Sequence, residues 1–102
     1  MARVEKIKNL LTKVKINASK GNFIILPHAI GRQGERNITV PDIVYILTTG
    51  WHEAKKDQYA QDFKTWNYAI RGKTIDEREL RIITSFDENN MLIITVIELG
   101  GK

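Results

Sequence analysis

The sequence predicts one α+β domain, with helices packed on one face of an antiparallel sheet. Three observations lead there. Apolar residues recur at helical spacing in the first half of the chain, period-two alternation takes over from Lys64 onward, and no repeat, linker or low-complexity tract interrupts the 102 residues. A chain of that length buries a core without disulfides or metal. The domain is expected to span residues 1–102, as a basic amphipathic helix at 1–20, a strand and two helices at 21–50, and the sheet at 51–102.

In "ARVEKIKNLLTKVKINASKG" the residues Val4, Ile7, Leu10, Leu11 and Val14 form one apolar stripe, and Gly21 is the expected stop. Lys6, Lys13 and Lys20 run along one flank of the stripe and Lys8 and Lys15 along the other, so their stems cover the seam while the ammoniums stay in water. "NFIILP", short, β-branched and closed by proline, reads as a strand. Residues 28–36 read as a helix although Gly31 and Gly34 each cost roughly 1 kcal/mol relative to alanine there. Close packing of that backbone on the sheet is the expected compensation. In "TVPDIVYILTTG" Thr39 caps a helix, Pro41 sits in its first turn, Ile43, Val44 and Leu47 face the core, and Gly50 follows its end. "WHEAKKDQYAQDF" has no clear period and is expected to be loop with a short strand.

"KTWNYAIRG" alternates, with Trp66, Tyr68 and Ile70 on one face and Asn67, Ala69 and Arg71 on the other. "RELRIITSFDENNMLIITVIEL" reads as two strands around a "DENN" turn. Leu80, Ile82, Thr84 and Phe86 share one face of the first, and Glu79, Arg81, Ile83 and Ser85 the other. "MLIITVI" is apolar on both faces, which predicts a central strand beside a neighbour with a half-open face.

The net charge of +4 is concentrated at the start: residues 1–20 carry +5, residues 21–50 sum to zero and residues 51–102 carry −1. A cationic surface of this kind suits a polyanion or an acidic protein, and a solvated lysine-rich helix accounts for it equally well. The absence of cysteine excludes a disulfide framework and a thiolate nucleophile. "MARVEKIKNLL" lacks the apolar stretch of a signal peptide and "MLIITVI" is too short to span a bilayer, so a cytoplasmic protein without membrane association is expected.

Other motifs fail on their chemistry. "RGKT" at 71–74 ends like a phosphate loop, but Asn67 stands where the first glycine belongs and a turn follows where a helix is required. His28 and His52 are the only histidines, and "WHEAKKD" lacks the second histidine of a zinc helix. Neither serine lies in a nucleophile elbow. No metal and no cofactor is expected. His28, Arg32 and Arg36 remain, spaced so that on a helix they lie along one side, successive members displaced by about 40°. Two readings stay open: a helix-start histidine with arginines paired to Glu35 or Asp42, or guanidinium forks on a phosphate.

The stretch "PHAIGRQGERNITVPDI", followed by "VYILTTG", resembles the entry of the bacterial domain-of-unknown-function family 4258, whose members read His-Ala-x-x-Arg and later Arg-Gly-Ile before a short helix ending in glycine. "YAIRGKTIDERELRIITSFDENNMLIITVIEL" is similar to that family's Gly-rich turn and two closing strands, so the likeness covers residues 20–98. The family is grouped with the RelE-like toxin fold of bacterial messenger-RNA interferases. A more distant resemblance is to the motility quorum-sensing regulator toxin. It places Lys55 and Asn67 where that toxin has a catalytic lysine and a glutamine; no tyrosine matches near Glu79, and "VIEL" lacks the toxin's closing lysine.

The resemblance implies the toxin of a bacterial toxin–antitoxin system: an RNA-binding protein acting on free or ribosome-bound messenger RNA as a metal-independent endoribonuclease, and held by an acidic antitoxin protein. The alternative is a non-catalytic protein-interaction or RNA-binding module of the same fold. Cleavage without metal needs a base for the 2′-hydroxyl, cations for the phosphorane and an acid for the leaving oxygen. The expected catalytic set is His28, Asn67, Arg71 and Arg81, with Arg32, Arg36, Lys55 and Tyr68 contacting RNA. Trp66 and Tyr68 are expected in the core, as aromatics on a strand usually are, with base stacking as the alternative, and Tyr68 shares a face with Arg71 only if a bulge near Ala69 reverses the pleat.

Overall fold

The computed structural model describes residues 4–35 and 37–100 and, within them, all side chains but those of 32–35. Helices α1 (Leu10–Ser19), α2 (Pro27–Glu35) and α3 (Val40–Thr49) pack against a six-stranded sheet. Its strands are β1 (Phe23–Ile25), β2 (Trp51–His52), β3 (Gln58–Ala60), β4 (Thr65–Lys73), β5 (Glu79–Phe86) and β6 (Met91–Gly100). They follow the order β1-β6-β5-β4-β2, with β3 also on β4. The α+β class agrees with the sequence reading, and β6 is interior as expected. The sheet is mixed rather than wholly antiparallel: β1 runs parallel to β6, because the chain leaves β1 directly into α2 instead of returning through a hairpin.

The first helix is shorter than its apolar stripe. Asn9, in left-handed backbone at φ 56°, stands just before Leu10, a conformation asparagine tolerates better than most residues. Upstream of it, tertiary bonds replace helical ones. The Ile7 N–H donates to the Tyr68 hydroxyl at 2.9 Å, and the Val4 carbonyl accepts from the Trp66 indole N–H at 2.7 Å. Residues 4–9 thus form a strap across β4.

α2 forms where expected. Gly31 does not pack on the sheet, since a Cβ there would meet no atom within 4 Å, and Gly34 falls in the 32–35 stretch, outside the described side chains; of the described side chains of α2, that of Ala29 is buried in the core. α3 begins with a capping box, Thr39 Oγ1 accepting from the Asp42 N–H at 3.1 Å while the Asp42 carboxylate accepts from the Thr39 N–H at 2.9 Å. Ile43, Ile46 and Leu47 are buried, whereas Val44 is only half-buried. Gly50, next in the chain, touches β4 so closely that a Cβ would collide with the Arg71 carbonyl oxygen and stand 2.7 Å from that of Ile46.

Between Gly50 and β4 the chain without a period lays down β2, a 3₁₀ turn (Ala54–Lys56) and β3, all along β4. Tyr68, Ile70, Leu80, Ile82, Met91, Ile93 and Val96 point towards the helices and are buried with them. Asn67, Ala69, Arg71, Arg81 and Ile83 point the other way. The β4–β5 register is unbroken from Tyr68↔Thr84 to Lys73↔Glu79, so no bulge at Ala69 reverses the pleat. A bulge falls on β6 instead, where Ile83 pairs with Thr95 and Thr84 with Ile93, leaving Ile94 between them. No described helix is long and apolar enough to cross a membrane.

Candidate functional site

The sheet face turned away from the helices carries a cleft of about 450 Å³. Lys56, Gln58, Asn67, Arg81 and Thr95 give it polar walls, and Ile83, Ile94 and Ile97 an apolar floor. The bulge on β6 explains how two successive residues, Ile94 and Thr95, both line it, since an inserted residue re-aims its neighbour. β3 supplies Gln58 through its register with Asn67.

Arg71 and Arg81 stand directly opposite each other on β4 and β5, an arrangement that like charges alone would disfavour. Glu53 resolves it. Its Oε1 accepts from Arg81 Nε at 2.6 Å and its Oε2 from an Arg71 terminal nitrogen at 2.8 Å. The Glu53 N–H donates to the Ala69 carbonyl at 2.8 Å, fixing the backbone from which the carboxylate reaches. Arg71 Nε turns to Glu79 Oε2 at 2.8 Å. Arg71 is therefore held by two carboxylates, whereas Arg81 is held at Nε alone. Among the described residues neither terminal nitrogen of Arg81 has an acceptor, and the side chain, 15 % exposed, lines the cleft. A guanidinium fixed at Nε with its terminal edge free is a ready binder of an anion such as phosphate.

The same network titrates Glu53. The Arg81 hydrogen bond, opposed by partial burial and reinforced by Arg71, lowers its carboxyl to about 2 from an ordinary 4.5. A depressed folded value contributes stability that is complete above the ordinary carboxylate range and is lost as pH falls from about 4.5 towards 2. Glu53→Gln is therefore expected to flatten acid unfolding in that interval and to lower stability at neutral pH; chemical denaturation of both proteins across pH 2–7 checks it.

Of the residues expected to act together, Asn67, Arg71 and Arg81 share this face. His28 is exposed in the first turn of α2 and does not line the cleft. Lys55 is exposed on the 3₁₀ turn, and its neighbour Lys56 is the lysine at the cleft. Tyr68 is 2 % exposed with its hydroxyl bonded to the strap, which leaves no face of its ring open to a base. Arg36 and the side chain of Arg32 lie outside the described residues. The open face has aromatics of its own: Trp51, paired with Arg71 and 49 % exposed, and Phe63, 80 % exposed.

A family model described as Domain of unknown function (DUF4258) matches residues 25–98. The chain belongs to that family. The DUF4258 region takes in every residue of the cleft and its carboxylate brace, and leaves α1 outside. No curated protein matches the chain, and no solved structure does.

Glu53, Trp51 and Phe63 were missed from the sequence. Glu53 lies 18 and 28 residues from the arginines it holds, in a segment without periodicity, and no local signal announces such a bond. The one clue was the arginines themselves: two facing each other on one side of a sheet need a counter-charge.

Proposed function

We propose that the uncovered sheet face binds single-stranded RNA, and that this DUF4258 chain is the RNA-directed toxin of a toxin–antitoxin pair, of RelE-like fold, cleaving without metal. The observation that carries the reading is Arg81, braced by Glu53 and, among the described residues, without an acceptor at either terminal nitrogen beside Lys56 and Asn67. In cleavage, Arg81 and Lys56 stabilise the charge that grows on the phosphorane. Glu53, ionised at neutral pH and occupied by two guanidiniums, orients them and does not donate a proton. The exposed lysines 8, 13, 15 and 20, on and beside α1, offer an acidic antitoxin a surface away from the cleft.

The test is incubation of the purified protein with mixed-sequence RNA in excess chelator, with new ends mapped and affinity measured over a range of salt. Wild type is expected to leave 2′,3′-cyclic phosphate ends. Arg81→Ala should abolish them, weaken binding about tenfold or more, and reduce the slope of log affinity against log salt by about 0.7, the share of one phosphate contact on a single strand. His28→Ala should do far less. Salt-dependent binding without cleavage would leave an RNA-binding module; salt-independent or absent binding would overturn the reading.

A further inference from the structure

A second cavity, of about 540 Å³, adjoins the first and shares Asn67 and Ile94 with it. The two compartments differ in character. The first presents Lys56 and Arg81, whereas the second is walled by Phe63, Leu26, Phe86 and Leu92 with Asp87 and Glu88 also in its lining and Lys13 over the Phe86 ring. A phosphate is better served by the first compartment, whose own lining holds Lys56 and Arg81 and no carboxylate. A flat apolar group with N–H donors on its edge suits the second compartment on both counts.

Resting on the proposal that this face binds RNA, we infer that the second cavity is a nucleobase pocket: an unpaired base stacks on Phe63 while a phosphate farther along the same strand sits on Arg81. Phe63 is 80 % exposed, which is a poor position for a core residue and a good one for a stacking platform. Asn67 lies where the compartments meet, within reach of the edge of a base seated in the second cavity or of its sugar. Its side chain has no hydrogen-bond partner among the described residues, so both its amide donors and its oxygen are available. The Asp87 carboxylate is held in place by the N–H groups of Asn89 at 2.8 Å and Asn90 at 2.6 Å. It keeps a negative end on the groove, which orients the strand with its base towards Phe63. A paired base cannot enter, so the ligand is single-stranded or carries a flipped-out nucleotide.

Two oligomers of equal length separate this inference from the reading beneath it: one of ordinary single-stranded RNA, the other of abasic ribose phosphate with the same number of charges. Fluorescence titration of wild type is expected to give about tenfold or greater preference for the base-bearing strand, within the range of base–aromatic stacking. Phe63→Ala should erase that preference and leave abasic binding unchanged; because the ring is exposed, the fold tolerates the change. Arg81→Ala should weaken both strands by a similar factor. Equal wild-type binding of the two strands overturns the base pocket and leaves the phosphate site standing. Failure of both strands to bind overturns the RNA reading, and the pocket with it.

Discussion

Replacing Gly50 with alanine is expected to destabilise the domain by about 3 kcal/mol, at the upper end of what overpacking costs. The new Cβ meets backbone on two sides, the carbonyls of Arg71 and Ile46, and neither can swing aside as a side chain would. Either β4 moves away from α3 at Arg71 or the end of α3 unwinds, and both disturb the strand that carries the site. For a domain of this length the melting temperature should fall by roughly 12–24 °C. Gly31→Ala provides the contrast. Its Cβ points into open space on a helix, so removing the glycine should stabilise the protein by up to about 1 kcal/mol. Thermal unfolding of the two variants with opposite signs would establish that Gly50 is required by contact; a Gly50→Ala protein as stable as the parent would refute it.

Asp57→Ala is expected to cost about as much, for a polar reason. The Asp57 side chain is fully buried, and three groups converge on it: the Ala69 N–H at 2.9 Å, His52 Nε2 at 2.7 Å and Lys6 Nζ at 2.9 Å. Truncation leaves the N–H of a buried strand residue without its acceptor and removes one of the contacts, the Lys6 ion pair, that hold the strap of residues 4–9. Lys6 is partly exposed, so most of the loss falls on Ala69 and His52 rather than on that ion pair. A loss of about 3 kcal/mol in denaturant unfolding, with faster hydrogen exchange at Ala69, is the expected outcome. Asp57→Asn should be milder, because an amide oxygen can still accept from Ala69. Equal stability of Asp57→Ala and wild type would show that the cluster is dispensable.

How far the molecule could be read from its sequence depended on how local each signal was. Alternation in "KTWNYAIRG" is a property of neighbouring residues, and it placed Asn67 and Arg71 on the same face, opposite Tyr68, as the structure has them. The capping box of Thr39 and Asp42 is equally local. The apolar stripe from Val4 to Val14 misled, because Val4 and Ile7 satisfy a helical period while their backbone groups are claimed by Trp66 and Tyr68 some sixty residues away. The direction of β1 was invisible, since three residues carry no information on whether their partner runs parallel. At the site, the cations were legible and their organisation was not. Arg71 and Arg81 looked equivalent on paper. Glu53 and Glu79 make them different, closing one with two carboxylates and leaving the other free at its terminal edge.

Whether RNA occupies the uncovered face is best decided by backbone amide shifts of the isotope-labelled protein, recorded as a short single-stranded RNA is added. Saturable shifts centred on Gln58, Asn67, Arg81, Ile83 and Thr95, with α1 and α2 unmoved, are the predicted result. Shifts confined to the lysines of α1, or none at all, would contradict it.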